Sequence, residues 1–471
     1  MAEPLHLFTA GEIAEAAAGV LTGSPETQLS AVATDTRKIV PGALFVALKG
    51  KNFDGADYAG QAVEKGAAAV LVSRECPEEK TAGLPAVIRA ADTLAAYQAI
   101  ARAYRRYFAG PVLAVTGSNG KTSTKELTAC VLNSALSTLK TKGNFNNEIG
   151  LPLTLLQLDM EHDAAVVEMG MRGLGQIAQL AAVAEPVIGI VTNVGETHME
   201  LLGSLENIAR AKGELIESLP DNGIAILNGD DKFVAAMESK VKPGVRVITY
   251  GIGQESTVRA LPDSIRAEGF LTRFTVRFAG NGTDYPVELP LAGRHNIYNA
   301  LAALGAGYAL GLDPAEMIGA LKKFQGFAQR FECLEKTVDR PGKLRIINDA
   351  YNASPMSMEA ALDTLAEVSG GGRRIAVLGD MLELGEIAAQ AHEKVGRRAA
   401  ETGIDFLITR GGMSRHIALG AIGAGLSPEK VFEAADHPAA AQKLREFCRA
   451  GDTLLFKGSR GMQMDKIIDM L

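Results

Sequence analysis

The chain has 471 residues, of which 47% are hydrophobic, so it is long enough for about three packed domains and does not have the composition of a disordered protein. A net charge of -7 argues against a broad nucleic-acid surface, although it allows a local basic pocket for an anionic small molecule. The four cysteines are far apart and form no CxxC pair, which is typical of reduced thiols in the cytoplasm. We expect no membrane insertion, because the N-terminus lacks the basic start of a signal peptide and the longest small-apolar run, 300–312, is too short to cross a bilayer.

Short strand-like segments predict a first domain over residues 1–85. They are GALFVAL at 42–48 and AAAVLVS at 67–73. The segment DTLAAYQAIARAYRRYF at 92–108 then predicts a helix with Asp92 as its N-cap, and this helix leads into the next domain.

A second predicted domain, 86–326, alternates apolar strands with helical segments. Its strands are PVLAVTG at 111–117, DAAVVEMG at 163–170, PVIGIVTNVG at 186–195 and GIAILNGDD at 223–231. Continuous apolar strands between helices indicate a mostly parallel sheet that is covered on both faces. Near the end of this domain, GFLTRFTVRF, the Asn281-Gly282 turn and DYPVELPL predict an antiparallel hairpin.

A third predicted domain covers residues 327–471 and returns to the alternating pattern. Its strands are KLRIINDA, RRIAVLGDM, DFLITRGG and DTLLFKGS, with helical segments between them. The predicted fold class is therefore α/β, with three domains.

A glycine-rich turn between a strand and a helix, TGSNGKTST, predicts a phosphate-binding loop. Gly117 and Gly120 let successive backbone N–H groups point inward, Lys121 supplies a cation for phosphates, and Thr122 offers a hydroxyl to Mg²⁺. Val115 stands where the full Walker spacing requires glycine, so a chance Gly-Lys-Thr turn is the alternative. The strand–loop–helix context favours the phosphate site, and its predicted nucleotide contacts are Gly117, Ser118, Asn119, Gly120, Lys121, Thr122 and Ser123.

Two polar side chains follow neighbouring strands of the same predicted sheet. Glu168 ends one strand, at the position where a nucleotide's Mg²⁺ usually finds a carboxylate. His198 lies just past the next strand, where a histidine is more often a structural hydrogen-bonding residue than a metal ligand. Because both residues are expected at the sheet edge that carries the phosphate loop, we predict that both serve metal binding.

A lysine on an apolar helix face is the most unusual feature of the sequence. In LENIARAKGELIESL, residues 205–219, the apolar residues recur at the spacing of one buried face, and Lys212 lies on that face. A desolvated lysine tends to be a neutral, nucleophilic amine. If it adds CO₂ it becomes a carbamate, which could bind a second Mg²⁺ or hold substrate at the reacting centre. The alternative is a lysine whose ammonium extends to solvent from a partly buried stem.

Taken together, these segments resemble the Mur ligase family over nearly the whole chain. The matching blocks are DTRKIVPGALFVALKGKNFDG, TGSNGKTSTKE, KGNFNNEIGLPLT, VVEMGMRGLGQI, TNVGETHMELLGSLENIARAKGEL, LNGDD, GRHNIYNALAA, NDAYNASPMSMEAAL, VLGDMLELG and FKGSR. Three of these blocks are most similar to the branch of the family that adds D-alanyl-D-alanine: NDAYNASPMSM, LGDMLELG and the N-terminal block. One block departs from the usual DDSYNANP, because Asn348, Ala350 and Ser354 are substituted.

The resemblance implies an N-terminal UDP-sugar-binding domain, a central ATPase and a C-terminal Rossmann-like domain. It also implies an ATP-dependent ligase that joins D-Ala-D-Ala to UDP-N-acetylmuramoyl-tripeptide through an acyl phosphate, with Mg²⁺ and a carbamylated Lys212. The implied catalytic residues are Lys121, Glu168, His198 and Lys212, and the implied metal ligands are Thr122, Glu168, His198 and Lys212. We expect a cytoplasmic monomer with no nucleic-acid partner.

Further binding residues follow from the resemblance alone. The implied ATP contacts beyond the loop are Asn296, Asn299, Arg330 and Asp349, so the ATP site spans two domains that close before chemistry. The implied UDP contacts are Asp35, Thr36, Arg37, Lys49 and Asn52, which are otherwise polar turns. The implied contacts at the reacting centre and for the dipeptide are Asn144, Asn147, Tyr351, Asn352, Lys457, Ser459 and Arg460, of which the last three are otherwise caps of a sheet edge.

Three other functions remain open on the sequence alone. The first is a Mur-type ligase that adds a different residue, and the second is a folylpolyglutamate synthase, which lacks a UDP-binding domain. The third is a nucleotide-dependent switch with a degenerate centre, against which the complete set of Lys121, Thr122, Glu168, His198 and Lys212 argues. The sequence leaves open whether the tripeptide ends in meso-diaminopimelate or lysine.

Overall fold

A computed structural model describes residues 3–50, 52–253, 255–280, 282–326, 332–338, 342–368 and 371–471. Three β-sheets with helices around them organise these residues, as the sequence predicted. None of the helices in these ranges combines the length and apolar character that a membrane-crossing segment needs.

The first sheet has five strands in the order β1-β5-β4-β3-β2. These are β1 (Val20–Thr22), β2 (Val32–Ala33), β3 (Leu44–Val46), β4 (Ala69–Ser73) and β5 (Val87–Ala90). The strands β2 to β5 are parallel, whereas β1 pairs with β5 in the antiparallel sense. Its helices are α1 (Ala10–Ala16) and α2 (Ala59–Glu64), and α3 (Thr93–Arg105) follows.

The strand β5 extends the first sheet past residue 85, where we predicted the domain to end. Arg89 interrupts the apolar pattern of this strand, which made it hard to recognise from sequence. The guanidinium of Arg89 donates hydrogen bonds to the backbone oxygen of Cys76 and to the Thr81 hydroxyl, which satisfies the charged group at this partly buried position. The first sheet therefore continues to Ala90.

The second sheet has ten strands and carries most of the candidate site. Strands β6 to β12 run parallel to one another in the order β7-β8-β6-β9-β10-β11-β12. Their ranges are Val112–Thr116 (β6), Thr138–Lys140 (β7), Ala164–Glu168 (β8), Ile188–Val191 (β9), Ile224–Asn228 (β10), Arg246–Gly251 (β11) and Val258–Ala260 (β12). The predicted hairpin is confirmed, because antiparallel strands complete the sheet: β13 (Arg266–Glu268), β14 (Leu271–Phe278) and β15 (Asp284–Leu289). The helices are α4 (Lys121–Leu132), α5 (Gly150–Leu155), α6 (Gln176–Ala184), α7 (Met199–Leu202), α8 (Leu205–Glu217), α9 (Lys232–Ala235), α10 (Arg294–Ala309) and α11 (Pro314–Lys322).

Both faces of the second sheet are buried, as its continuous apolar strands predicted. Successive residues of β6 point to opposite faces, so Val112 and Ala114 pack into one apolar cluster and Leu113 and Val115 into another. The second cluster includes much of α10, which explains why that helix is rich in small apolar residues. Burial on both faces leaves the ends of the parallel strands as the place for polar chemistry.

The third sheet has six strands in the order β16-β17-β21-β18-β19-β20. All are parallel except β16, which is antiparallel to β17. The strands are β16 (Glu332–Val338), β17 (Gly342–Asp349), β18 (Arg374–Gly379), β19 (Phe406–Arg410), β20 (Val431–Glu433) and β21 (Thr453–Lys457). The helices are α12 (Pro355–Val368), α13 (Ala388–Glu401), α14 (Arg415–Gly423), α15 (His437–Phe447) and α16 (Asp465–Asp469).

Candidate active site

A cleft of about 1130 Å³ lies between the second and third sheets. The ends of strands from both sheets open onto it, including the carboxyl ends of β8, β17 and β21. The predicted site residues that line it are Ser118, Asn119, Gly120, Lys121, Thr122, Ser123, Asn144, Asn147, Glu168, His198, Lys212, Asn296, Asn299, Asp349, Tyr351, Asn352, Lys457, Ser459 and Arg460. Arg330 lies outside the described residues.

The phosphate loop joins β6 to α4 and requires glycine at two positions. Gly117 has φ +150°, and a Cβ atom there would lie 1.8 Å from the hydroxyl oxygen of Thr192. Gly120 has φ +79°, and a Cβ atom there would lie 2.5 Å from the amide oxygen of Asn299. Lys121 Nζ donates hydrogen bonds to the backbone oxygens of Gly117 and Ser118 at 2.8 and 3.1 Å, so its cation lies over the loop. The loop therefore combines a cation with the N-terminus of α4, where backbone N–H groups point out toward a bound anion.

The Thr122 hydroxyl and the Glu168 carboxylate form a pair of oxygen ligands beside this loop. Thr122 Oγ1 donates a hydrogen bond to Glu168 Oε2 at 2.7 Å, and the Glu168 side chain is almost fully buried. Such hard oxygen atoms are the ligands that Mg²⁺ prefers. No cluster of three or more His, Cys, Asp or Glu side chains that could hold an ion occurs among the described residues, so Mg²⁺ at this pair needs further oxygens from phosphates or water.

The other Glu168 oxygen contacts a residue that the sequence did not single out. Asn146 Nδ2 donates a hydrogen bond to Glu168 Oε1 at 2.7 Å. Of the two asparagines that we predicted, Asn147 accepts a hydrogen bond from the backbone N–H of Gly150 at the start of α5, and Asn144 is exposed at the cleft. Asn146 stands between them in NFNNE, but only the turn geometry determines which asparagine reaches the carboxylate.

His198 faces a carboxylate of the third sheet's domain across the cleft. Its Nδ1 lies 2.7 Å from Glu383 Oε2, and Arg172 Nη2 lies 3.8 Å from Glu383 Oε1. Burial lowers the pKa of His198, although the Glu383 carboxylate acts in the opposite direction. Glu383 belongs to the LGDMLELG segment, which carried the family resemblance without pointing to a role for this residue.

Lys212 lies on the buried face of α8, as the apolar spacing predicted. The helix begins at Ser204, whose hydroxyl accepts a hydrogen bond from the Asn207 N–H at 3.2 Å. Lys212 is only 2% exposed, so its ammonium does not extend to bulk water. Desolvation, with a smaller contribution from the charge of Lys121, holds the pKa of Lys212 well below its usual range.

Lys212 also differs from the other buried lysines in having no partner. Lys125 donates to the Thr141 backbone oxygen at 2.7 Å and pairs with Glu126, and Lys457 pairs with Asp349. Within the part of the chain that the structure describes, the Lys212 amine has no hydrogen-bond or ion-pair partner. Lys212 also lines the cleft, so a ligand or a chemical change there could give this amine a partner.

Two buried asparagines at the start of α10 contact the first turns of α4. Asn299 accepts a hydrogen bond from the Thr124 hydroxyl at 3.1 Å and donates one to Asn296 at 3.0 Å. Two neighbours that we did not predict also line the cleft here. Burial lowers the pKa of His295 to about 4 and raises the pKa of Tyr298 to about 12, so both side chains are neutral at pH 7 and suited to recognising a nucleobase by hydrogen bonds.

The third sheet brings a lysine that is ion-paired with an aspartate, and an exposed arginine, to the cleft. Lys457 and Asp349 are paired neighbours on β21 and β17, and Lys457 Nζ also donates to the Asn352 backbone oxygen at 3.0 Å. The Ser459 hydroxyl accepts a hydrogen bond from the Leu382 N–H at 2.9 Å. The Arg460 guanidinium lies 5.5 Å from the Tyr351 ring centroid, with 60% of its side chain exposed. Arg460 Nη1 lies 3.9 Å from Asp465 Oδ2, but the Arg460 side chain is far more exposed than that of Lys457, so it is better placed to bind an anionic group.

The five predicted UDP contacts lie elsewhere, on the first sheet. Asp35, Thr36 and Arg37 follow β2, whereas Lys49 and Asn52 follow β3, so both groups lie past the carboxyl ends of adjacent parallel strands. Asp35 forms an ion pair with Arg37 that lowers the pKa of Asp35 to about 2. The Arg37, Lys49 and Asn52 side chains are exposed, and the Thr36 hydroxyl donates to Gln61 at 2.8 Å. The structure thus separates these residues from the central cleft.

Comparison with known proteins agrees with this three-part organisation. Residues 28–105 match the Mur ligase family catalytic domain, residues 115–307 the Mur ligase middle domain, and residues 329–460 the Mur ligase glutamate ligase domain. A UDP-N-acetylmuramoyl-tripeptide–D-alanyl-D-alanine ligase of Bacillus subtilis is 38% identical over 462 residues, which cover 98% of this chain and 97% of that protein.

Two solved structures are similar over nearly the whole chain. MurF from Acinetobacter baumannii has a TM-score of 0.88 at 30% identity and covers 99% of both chains. MurF from Thermotoga maritima, solved in complex with ADP, has a TM-score of 0.81 at 27% identity, with coverage of 93% of this chain and 96% of that one. The full-length similarity, the three matched domains and the shared fold lead to one conclusion: the chain belongs to the Mur ligase family.

Proposed function

We propose that the protein is the ligase that joins D-alanyl-D-alanine to UDP-N-acetylmuramoyl-tripeptide in peptidoglycan precursor synthesis. The reaction consumes ATP and gives UDP-N-acetylmuramoyl-pentapeptide, ADP and phosphate. The observation that carries the proposal is a single cleft in which the phosphate loop, the Thr122–Glu168 pair and the buried, unpartnered Lys212 meet. Full-length similarity to ligases named for this reaction supports the choice of substrates.

The chemistry follows from the poor leaving group of a carboxylate. A carboxylate oxygen of the tripeptide attacks the γ-phosphorus of ATP, and the bond from that phosphorus to the β,γ-bridging oxygen breaks, which releases ADP. The amine of the dipeptide then attacks the acyl-phosphate carbonyl, the nitrogen loses a proton, and phosphate leaves as the amide forms. Lys121 and the N-terminus of α4 would hold the phosphates in line during the first step, where positioning and charge neutralisation dominate.

The Thr122–Glu168 pair fits one Mg²⁺ ion, and a second ion would need a change in Lys212; bound there, such ions would supply positive charge against the negative charge of the transferred phosphoryl group. Thr122 and Glu168 would hold one ion, with Asn146 fixing the second Glu168 oxygen. His198 and Lys212 would serve the other ion. A neutral lysine amine cannot replace a carboxylate as a Mg²⁺ ligand, so this second role requires a change in Lys212.

We propose that this change is carbamylation. Burial lowers the pKa of Lys212, which favours the neutral amine, and its nitrogen can attack CO₂ and lose a proton to give a carbamate. The product would place an anionic group at the end of a buried stem, where its carboxylate oxygens could bind Mg²⁺. Lys121 lies close enough for its positive charge to act on Lys212, which also favours an anion there.

We propose the remaining substrate contacts from the family resemblance. Asn296 and Asn299, with Asp349, would meet the nucleoside of ATP, and the residues that follow β2 and β3 would meet the UDP moiety. Arg460, placed over Tyr351, would bind the carboxylate of D-Ala-D-Ala. We further propose a cytoplasmic location, because the four cysteines are free thiols and the substrates are nucleotide-linked, and we propose that the protein acts as a monomer.

Phosphate release measured with each substrate omitted in turn tests the proposed function. We expect release of ADP and phosphate only when UDP-N-acetylmuramoyl-tripeptide and D-Ala-D-Ala are both present, together with a product of pentapeptide mass. Running the two tripeptides that end in meso-diaminopimelate and lysine side by side identifies the third residue. Hydrolysis of ATP at the full rate without the dipeptide would indicate a switch, and use of another amino acid in its place would indicate a different ligase.

Replacing Arg460 by methionine is expected to raise the KM for D-Ala-D-Ala by roughly 10- to 100-fold, because a hydrogen bond to a charged group contributes about 1.5–3 kcal/mol. The KM values for ATP and the UDP substrate should stay close to those of the wild type. Arg397→Met is the matched control, since Arg397 is an exposed arginine of the same domain that does not line the cleft. Equal KM values for the dipeptide in the two variants would contradict the assignment.

A further inference from the structure

A loop of the C-terminal domain reaches the reacting centre of the central domain. This 380–385 loop follows β18 and packs on α7, so that a Cβ atom added to Gly385 would lie 3.3 Å from the Cα atom of Glu200. The helix α7 starts directly after His198. The loop therefore covers the segment that presents the histidine to the cleft.

Hydrogen bonds from three different elements hold the loop in place. Asp380 Oδ1 accepts from the Ser414 N–H at 2.6 Å, the Met381 N–H donates to His392 Nε2 at 2.9 Å, and the Leu382 N–H donates to Ser459 Oγ at 2.9 Å. Three successive residues are thus fixed before the chain reaches Glu383. The Glu383 carboxylate is presented by an ordered backbone and not by a free surface segment.

The two residues that meet across the cleft both have unusual backbone conformations. Five described residues other than glycine have positive φ, and two of them are His198 at +56° and Glu383 at +62°. A left-handed conformation is costly for such residues and persists where the surrounding structure imposes it. Each of these two conformations directs its side chain into a 2.7 Å contact between His198 Nδ1 and Glu383 Oε2.

We propose that Glu383 is a positioning residue that orients the His198 imidazole toward the reacting centre. Its carboxylate accepts a hydrogen bond from Nδ1–H, which fixes the tautomer and leaves the Nε2 lone pair for a ligand in the cleft. Arg172, 3.8 Å from the other carboxylate oxygen, restrains Glu383 in turn. The inference rests on the proposed function, in which His198 serves the second Mg²⁺.

The contact between His198 and Glu383 joins two domains of the protein. His198 belongs to the central domain, whereas Glu383 is carried by the C-terminal domain. The imidazole is therefore oriented only when the two domains are docked against each other. Domain closure and completion of the second metal site become one event, which would limit ATP use before the dipeptide-binding domain is in place.

Three variants test whether Glu383 acts by positioning His198, by its negative charge or by stabilising the fold. Glu383→Ala removes the contact with His198, whereas Glu383→Gln keeps an oxygen that can accept a hydrogen bond from Nδ1–H. The control, Glu386→Ala, removes an exposed carboxylate from the adjoining segment, away from the cleft. Each variant is assayed for kcat and for each KM. Binding of Mn²⁺ to the full-length protein, with the imido analogue of ATP and UDP-N-acetylmuramoyl-tripeptide, is followed by electron paramagnetic resonance as a readout independent of turnover.

We expect Glu383→Ala to lower kcat by about 10- to 100-fold and to weaken one of two bound Mn²⁺ ions by a similar factor, as is usual when the partner of a metal-binding histidine is lost. The KM for ATP and the melting temperature should stay unchanged, Glu383→Gln should recover most of the loss, and Glu386→Ala should match the wild type. Wild-type kcat and Mn²⁺ binding in Glu383→Ala, or an equal loss in Glu386→Ala, would overturn the inference. Wild-type protein that forms no pentapeptide would instead overturn the proposed function, and this inference with it.

Discussion

Replacing Lys212 by alanine is expected to lower kcat by about 10³-fold, the loss that follows removal of one group that stabilises the transition-state charge. Short carboxylic acids such as formate or acetate should restore part of the activity, because the vacated space next to the reacting centre can accept a small anion in place of the carbamate. The measurement is kcat as a function of added acid. Activity close to the wild type in Lys212→Ala, without any added acid, would contradict the carbamate role.

We also expect an unusual effect on stability when Lys212 is replaced by methionine. Lys212→Met fills the same buried space without an amine that lacks a partner, so we expect the free energy of unfolding to be unchanged or higher. Lys125→Met is the matched control, because it deprives the Thr141 oxygen and Glu126 of their partner and should destabilise the fold. Denaturant unfolding of both variants, in buffers free of CO₂, makes the comparison. A strongly destabilised Lys212→Met variant alongside an unaffected Lys125→Met variant would contradict this account of the two sites.

The difference in unfolding free energy between Lys212→Met and the wild type should change with pH in a definite direction. The native pKa of Lys212 is lowered, whereas the unfolded lysine keeps a pKa of about 10.4, so the unfolded chain binds more protons at pH values between the two. The Lys212 contribution to wild-type stability therefore improves as the pH rises toward the unfolded pKa. In CO₂-free buffer, the stability advantage of Lys212→Met should therefore shrink as the pH rises toward about 10.4.

Replacing Glu168 by glutamine is expected to raise the Mg²⁺ concentration at half-maximal activity by about tenfold or more. The amide keeps the size of the side chain and a hydrogen bond to Thr122, but it removes the negative charge that an ion at this pair requires. A loss of about 10-fold in ion binding corresponds to about 1.4 kcal/mol, which one direct carboxylate ligand readily supplies.

A magnesium titration of the initial rate measures this effect at saturating ATP and substrates. Glu148→Gln is the matched control, because Glu148 also lines the cleft and its carboxylate has no assigned ligand role. Its midpoint should coincide with that of the wild type. An unchanged midpoint in Glu168→Gln, whatever its kcat, would exclude Glu168 from the metal site.

The features that the sequence predicted best are those set by local pattern. The apolar spacing of α8 placed Lys212 on a buried face, and the strand–loop–helix context placed the phosphate loop at a sheet edge. Both depend on periodicity and on glycine conformation, which neighbouring residues along the chain determine. The hairpin β14–β15 was equally predictable, because alternation and a turn signal specify it.

The features that the sequence did not reveal depend on contacts between distant segments. Glu383 is separated from His198 by much of the chain, and nothing in its immediate surroundings distinguishes it from Glu386. Asn146 could not be told from its neighbouring asparagines without the turn that directs it to Glu168. Lys457 is one of the predicted dipeptide contacts, and its pairing with Asp349 could not be read from the sequence because it depends on the adjacency of β17 and β21 in the sheet.

Carbon-13 NMR on protein equilibrated with ¹³C-bicarbonate tests the central claim most directly, because it reports the chemical state of the Lys212 nitrogen without relying on turnover. The wild-type protein, with Mg²⁺ and the imido analogue of ATP, should give one slowly exchanging carbamate resonance that is absent from Lys212→Met. A wild-type spectrum without a carbamate resonance, from a preparation that is fully active in pentapeptide formation, would contradict the account.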